Sequence, residues 1–157
     1  MKIGVDCGIY GAIAYLNNDS TFIAVEDMPV MAGTGKRQQV NGAELARRLR
    51  LYQSTMEYTT YTKDTAYVER VSSMPKQGVS SMFSFGTSYG IVLGVLAALQ
   101  IPVVLVTPQS WKKRAGLTGK EKDCCRTLMQ QLYPMAELGR KKDIGRADAI
   151  AIARYGS

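Results

Sequence analysis

Three acidic residues occupy positions in which a charge is costly. Asp6 ends the apolar stretch MKIGVD, Glu69 ends TAYVE, and Asp148 lies within ADAIAIA, a run of alanine and isoleucine. A carboxylate that leaves water loses hydration energy unless it is paired or binds a cation. One such acid is commonly a capped or salt-bridged structural residue. Three of them together favour a functional cluster.

The rest of the sequence restricts the chemistry that these acids can support. There is no histidine, which excludes Ser-His-Asp and Cys-His mechanisms as well as imidazole ligands. The three cysteines, Cys7, Cys124 and Cys125, lack the spacing of a zinc site or a disulfide framework. If the strands that end in Asp6 and Glu69 are neighbours, ligands with oxygen donors alone predict a site for Mg²⁺ or Mn²⁺.

The apolar patterns predict an α/β domain. Short apolar runs predict strands at 1–6, 12–16, 21–25, 65–69 and 102–106, the last of them buried. Apolar residues at helical spacing predict helices at 42–56, 82–99, 109–114, 120–133 and 146–155. Glycine, proline and serine predict loops at 28–39 and 72–81. This order gives a five-stranded mixed sheet flanked by helices, and we expect a single domain over residues 1–157.

The charge of the chain is unevenly distributed. The formal net charge is +7, and the segment 112–146 carries ten basic residues against four acidic ones. A basic surface can serve solubility alone, but a concentrated basic segment favours a polyanionic partner, above all a nucleic acid. The longest apolar stretch, 91–106, is interrupted by Gln100 and Pro102, so we expect no membrane span. The absence of a signal-peptide pattern and the unpaired cysteines favour the cytoplasm.

Five segments of the chain resemble one known family, in order and with fitting spacing. GVDCG (4–8), YVER (67–70) and GRADAIAIA (145–153) are similar to three acidic motifs of RuvC-type Holliday-junction resolvases, especially the short phage-type members. FGTSYG (85–90) and VTPQSWK (106–112) are similar to the middle helix of that family and to the segment after its fifth strand. These resolvases belong to the RNase H-like nuclease superfamily.

The resemblance implies an RNase H-like fold and a metal-dependent endonuclease that cuts branched DNA. The family works as a homodimer that nicks two strands of a four-way junction. The resemblance also implies two Mg²⁺ or Mn²⁺ ions per site, with Asp6 bridging them, Glu69 on one side and Asp148 on the other. One ion would activate a water, and the other would stabilise the leaving 3′ oxygen.

The chain departs from the family at one ligand. Relatives commonly carry a histidine or an aspartate three or four residues before the last acid, where this chain has Gly145 and Ile144. Asp143 could supply the fourth ligand if the helix begins after it. Alternatively, Asp143 caps that helix or pairs with Lys141 or Lys142, and the site has three protein ligands.

The basic residues that lead into the last helix are expected to hold phosphates, and two phenylalanines are candidate wedges between bases or members of the core. The candidate DNA-contacting residues are Lys76, Phe83, Phe85, Lys112, Lys113, Arg140, Lys141, Lys142 and Arg146. The glycine face of the 82–99 helix is either a dimer surface or a face packed on the sheet.

Two other functions fit part of the pattern. A catalytically inactive protein that binds junctions would also account for the missing fourth ligand. Asp6-Cys7-Gly8 before a hairpin is similar to the first phosphate motif of the superfamily of sugar kinases, actin and heat-shock ATPases. Those proteins need two such domains, so 157 residues could represent only a fragment of one.

Overall fold

The computed structural model describes residues 1–33, 37–55, 64–70 and 78–157. Five of its strands form one mixed sheet in the spatial order β3-β2-β1-β6-β7, in which β1 is antiparallel to β2 and parallel to β6. A separate antiparallel pair is formed by β4 and β5. The strands are β1 (Lys2–Asp6), β2 (Ala12–Leu16), β3 (Phe22–Asp27), β4 (Val30–Ala32), β5 (Gln38–Val40), β6 (Thr65–Glu69) and β7 (Val103–Val106).

Helices cover both faces of the sheet. Their bounds are α1 (Gly42–Thr55), α2 (Val79–Ala98), α3 (Pro108–Arg114), α4 (Lys122–Leu132) and α5 (Ile144–Tyr155). One core joins α3, α4 and α5 to the sheet, and a second core lies between the sheet and the helices α1 and α2. The prediction of an α/β fold with a five-stranded mixed sheet is confirmed.

The alternation of side chains along β1 determines which residues meet α5. Ile3 and Val5 belong to the core under α1 and α2, so Gly4 and Asp6 lie on the opposite face, toward α5. A Cβ atom at Gly4 would overlap the backbone of α5. The helix therefore reaches this depth against the sheet only because residue 4 has no side chain.

Two predictions about local structure are wrong. The expected loop at 28–39 contains the paired strands β4 and β5, which are too short to give an alternating pattern in the sequence. The last strand was expected to be buried, but Val103, Val104 and Leu105 are 37%, 42% and 48% exposed. These three residues are exposed because β7 is an edge strand that the described helices cover poorly.

The helix α2 is unusually exposed for its composition. Only three of its twenty residues are buried, and by length and composition alone it could cross a membrane. Length and composition do not distinguish such a span from a helix that faces a protein partner. Among the described residues, nothing lies within 4 Å of a Cβ built on Gly86, Gly90 or Gly94. The interpretation that these glycines pack on the sheet is therefore wrong.

Candidate active site

Asp6 and Glu69 lie at the same edge of the sheet. They are the last residues of β1 and β6, which are adjacent and parallel, with Val5 paired to Val68. Carboxyl ends of neighbouring parallel strands meet at one edge, and alternation places both acidic side chains on the α5 face. The strands that end in these acids are therefore neighbours, as a shared cation site requires.

Asp148 joins them from α5. The helix is held against the sheet by a buried face of alanine and isoleucine, while Asp148 stays half-buried. Burial raises the pKa of Asp148, the neighbouring Cys125 thiol opposes that increase, and the charge on Glu69 adds to it. Asp148 and Glu69 are therefore close enough to repel each other.

Asp6 is the most perturbed acid of this group. Burial raises its pKa to about 7, and the charges of Asp148 and Glu69 contribute to the increase. Among the described residues, one weak donor opposes it, the backbone N–H of Gly8 at 3.4 Å from Asp6 Oδ1. Three carboxylates on three separate elements thus share one electrostatic environment.

The chemistry of this donor set fits a hard divalent cation, because three carboxylates that repel one another gain from a shared positive charge. Their side chains lie too far apart to form a closed coordination sphere. Within the described ranges, no three His, Cys, Asp or Glu side chains stand close enough to hold a metal ion. Binding would therefore require the carboxylates to move toward the cation.

A buried donor holds Glu69, and the sequence analysis gave it no role. The indole Nε1–H of Trp111 donates to Glu69 Oε1 at 2.9 Å. Trp111 is fully buried. The only sequence signal was the place of Trp111 in the VTPQSWK segment.

Asp143 forms an ion pair with Arg140. It is 2% exposed, and Arg140 donates to both of its oxygens, from the backbone N–H at 2.8 Å and from the guanidinium at 2.7 Å. The helix does begin after it, at Ile144, but its partner is Arg140 rather than Lys141 or Lys142. The structure does not bring Asp143 together with the other three acids.

The two positions at which relatives carry a fourth ligand cannot supply one in this chain. Any side chain at Gly145 would overlap the carbonyl oxygen of Tyr10, because the turn between β1 and β2 packs against the start of α5. Ile144 offers no polar atom. The close contact between this turn and α5 therefore leaves three candidate carboxylates among the described residues.

A groove of about 570 Å³ opens beside Asp6. Lys141 and Lys142 line it together with Phe85 of α2 and with Tyr10, an 85% exposed side chain that the sequence analysis missed. Positive and aromatic groups thus flank the acid. A phosphate backbone with unstacked bases suits such a lining.

The other candidate DNA-contacting residues are scattered. Arg146 donates to both oxygens of Asp27, at 2.6 and 2.9 Å, and Arg140 is bound to Asp143. Lys112 lies 5.2 Å from the centre of the Trp111 ring, and Lys113 is exposed on α3.

Phe83 is 77% exposed on α2, which excludes it from the core. Lys76 lies outside the described residues.

The fold is similar to two solved structures of Thermus thermophilus RuvC. The first has a TM-score of 0.52 at 18% sequence identity, and the match covers 96% of this chain and 89% of that one. The second is described as RuvC in complex with a Holliday junction substrate, with a TM-score of 0.51, 16% identity and the same coverage. No protein-family model and no curated protein sequence matches the chain. The likeness shows a RuvC-like, RNase H-like fold.

Asp143→Asn should lower the free energy of unfolding by about 1–3 kcal/mol at neutral pH, because Asp143 loses charge-assisted hydrogen bonds in a buried position. Arg140 holds the pKa of Asp143 below its usual range, so this stabilisation is present above the unfolded-state pKa. It disappears as the pH falls through the folded-state pKa. Denaturant titrations of both proteins should therefore converge in acid.

Asp123→Asn is the matched control, because Asp123 forms the same i,i+3 pair with Arg126 but is 50% exposed. Because this ion pair is exposed to solvent, its loss should cost less stability than the loss of the Asp143 pair. Unchanged stability in Asp143→Asn together with weaker binding of Mn²⁺ would contradict the structural role and make Asp143 a ligand.

Proposed function

We propose that this protein is a metal-dependent endonuclease that resolves Holliday junctions or other branched DNA by paired nicks. The observation that carries the proposal is the meeting of Asp6, Glu69 and Asp148 at one sheet edge in a RuvC-like fold. A similar structure is described as bound to a Holliday junction substrate, which supports branched DNA as the substrate class.

Asp6, Glu69 and Asp148 would hold the cations. Bound Mg²⁺ or Mn²⁺ would supply an activated water and stabilise the leaving 3′ oxygen of a phosphodiester. In the proposed site, Asp6 has the central position, because the charges of both other acids act on it. Glu69 is kept in place by the buried donor Trp111.

The groove beside Asp6 would bind the DNA strand. Lys141 and Lys142 are exposed and line the groove, so they can contact phosphates on either side of the scissile bond. Phe85 and Tyr10 present rings in the same groove, on which an unpaired base can stack. Binding through the lysines should weaken as salt is added.

A second candidate is a protein that binds junctions without cutting them. Two observations favour this function. Among the described residues, the three acids do not form a closed metal site, and Asp143 forms an ion pair with Arg140. The groove and its basic rim would serve this function equally well. Cleavage measured with and without Mg²⁺ separates the two functions.

Asp6→Asn and Asp148→Asn should each abolish cleavage of a four-way junction in Mg²⁺ while leaving junction binding largely intact. Each substitution removes a proposed ligand, whereas the affinity for DNA depends mainly on phosphate contacts from basic residues. The measurement is strand nicking of a labelled junction and of a linear duplex, with binding followed in Ca²⁺ or EDTA.

Asp19→Asn is the control, because Asp19 is an exposed carboxylate in the turn that follows β2, at the opposite end of the sheet. It should cut like the wild type. If Asp6→Asn or Asp148→Asn still cuts at saturating Mg²⁺, the metal site has been misplaced. If the wild type binds junctions but never nicks them, the second candidate is correct.

We also propose a homodimer whose subunits meet at α2. Paired nicks need two active sites related by a two-fold axis. Gly86, Gly90 and Gly94 repeat at four-residue spacing and leave open space on one helix face, on which a second helix can pack closely. Val79 and Phe83, 85% and 77% exposed, extend the apolar surface of α2.

Sedimentation at micromolar concentration should show a species of about twice the 17.2 kDa chain mass. Gly90→Leu should shift it to the monomer by blocking the approach of the second helix, whereas Gly139→Leu, in open space outside α2, should not. A wild type that sediments only as a monomer, with and without junction DNA, would contradict the dimer. Partition of the chain into liposomes would assign this face to lipid instead.

A further inference from the structure

The one tryptophan of the chain has an unusual hydrogen-bond acceptor. Trp111 is fully buried, and its indole N–H donates to Glu69 Oε1 at 2.9 Å, across 42 positions of sequence. A buried indole N–H needs an acceptor, and a backbone carbonyl would satisfy it. Here the acceptor is one oxygen of a carboxylate in the proposed metal site.

The start of α3 holds Trp111 in this position. Thr107 caps the helix, and its hydroxyl oxygen accepts a hydrogen bond from the backbone N–H of Ser110 at 3.2 Å. The helix follows directly after Val106, which pairs with Glu69 in the sheet. A capped helix that begins beside the acid therefore presents the indole with little freedom to move.

We propose that Trp111 is a positioning residue for the metal site, and that it holds Glu69 Oε1 so that Oε2 is presented to the cation. This inference rests on the proposed function. A carboxylate with one oxygen bound to a rigid donor can offer the other in a fixed direction, which lowers the cost of ordering it when the cation binds.

Equilibrium dialysis of Mn²⁺ tests the role of Trp111 without any need for cleavage. Trp111→Phe should weaken Mn²⁺ binding about tenfold or more, the usual effect of removing a partner that orients a ligand. In a Glu69→Gln background, Trp111→Phe should have no further effect, because the indole acts through that carboxylate. A merely structural role would lower the affinity in both backgrounds.

Leu138→Ala is the matched control for damage to the core. Leu138 is fully buried in the same cluster as Trp111 but presents no side-chain donor, so its loss should leave Mn²⁺ affinity unchanged. An equal loss of affinity in Leu138→Ala and Trp111→Phe would overturn the inference. Thermal melting of each variant verifies that the dialysed protein is folded.

A second measurement uses the wild type, so it tests the inference even if the Trp111→Phe variant does not fold. Excitation at a wavelength that tryptophan alone absorbs reports on Trp111 only, because there is no other tryptophan. Mn²⁺ should change this emission with the midpoint found by dialysis, and Asp6→Asn should remove both signals. Emission that stays constant while Mn²⁺ binds would overturn the inference.

The outcomes separate this inference from the proposed function. If Trp111→Phe binds Mn²⁺ as tightly as the wild type, and Asp6→Asn does not bind it, the inference fails and the metal site stands. If the wild type shows no Mn²⁺ binding that depends on Asp6, the proposed function fails and the inference with it.

Discussion

The close packing of α5 against β1 is the constraint on which the site depends. Gly4 leaves room for the backbone of the helix, and the alanines and isoleucines of α5 make up most of its buried face. This contact carries Asp148 to the sheet edge at which Asp6 and Glu69 end their strands. A larger residue at position 4 would push α5 outward and separate the acids, as overpacking of a core generally displaces the elements around it.

The packing places carboxylates that repel one another in a buried position, and this repulsion explains the other features of the site. Burial and two neighbouring carboxylates raise the pKa of Asp6 to about 7, so the charged form of this side chain is destabilised. The buried indole of Trp111 holds Glu69, while the one hydrogen-bond donor to Asp6 among the described residues is the distant N–H of Gly8. A cation would relieve this repulsion without any imidazole. The positive rim of the adjacent groove would bring a polyanion to the same place.

Much of the fold and the three acids could be predicted from the sequence, because strand ends and apolar periodicity are local signals. The exposure of β7 could not be predicted, because an apolar run has the same sequence pattern whether it packs against another layer of the chain or against another molecule. The pairing of Asp143 with Arg140 could not be predicted, because two lysines and an arginine are all within reach by sequence. The contact from Trp111 to Glu69 joins separate elements, and no local pattern encodes it.

Anomalous diffraction from crystals soaked in Mn²⁺ tests the central claim most directly, namely that the three carboxylates bind a divalent cation at the sheet edge. The account predicts an anomalous peak about 2.0–2.2 Å from an oxygen of Asp6, the distance typical of small divalent cations, with Glu69 or Asp148 as a second ligand. Peaks only at other carboxylates, or none at millimolar Mn²⁺, would contradict it.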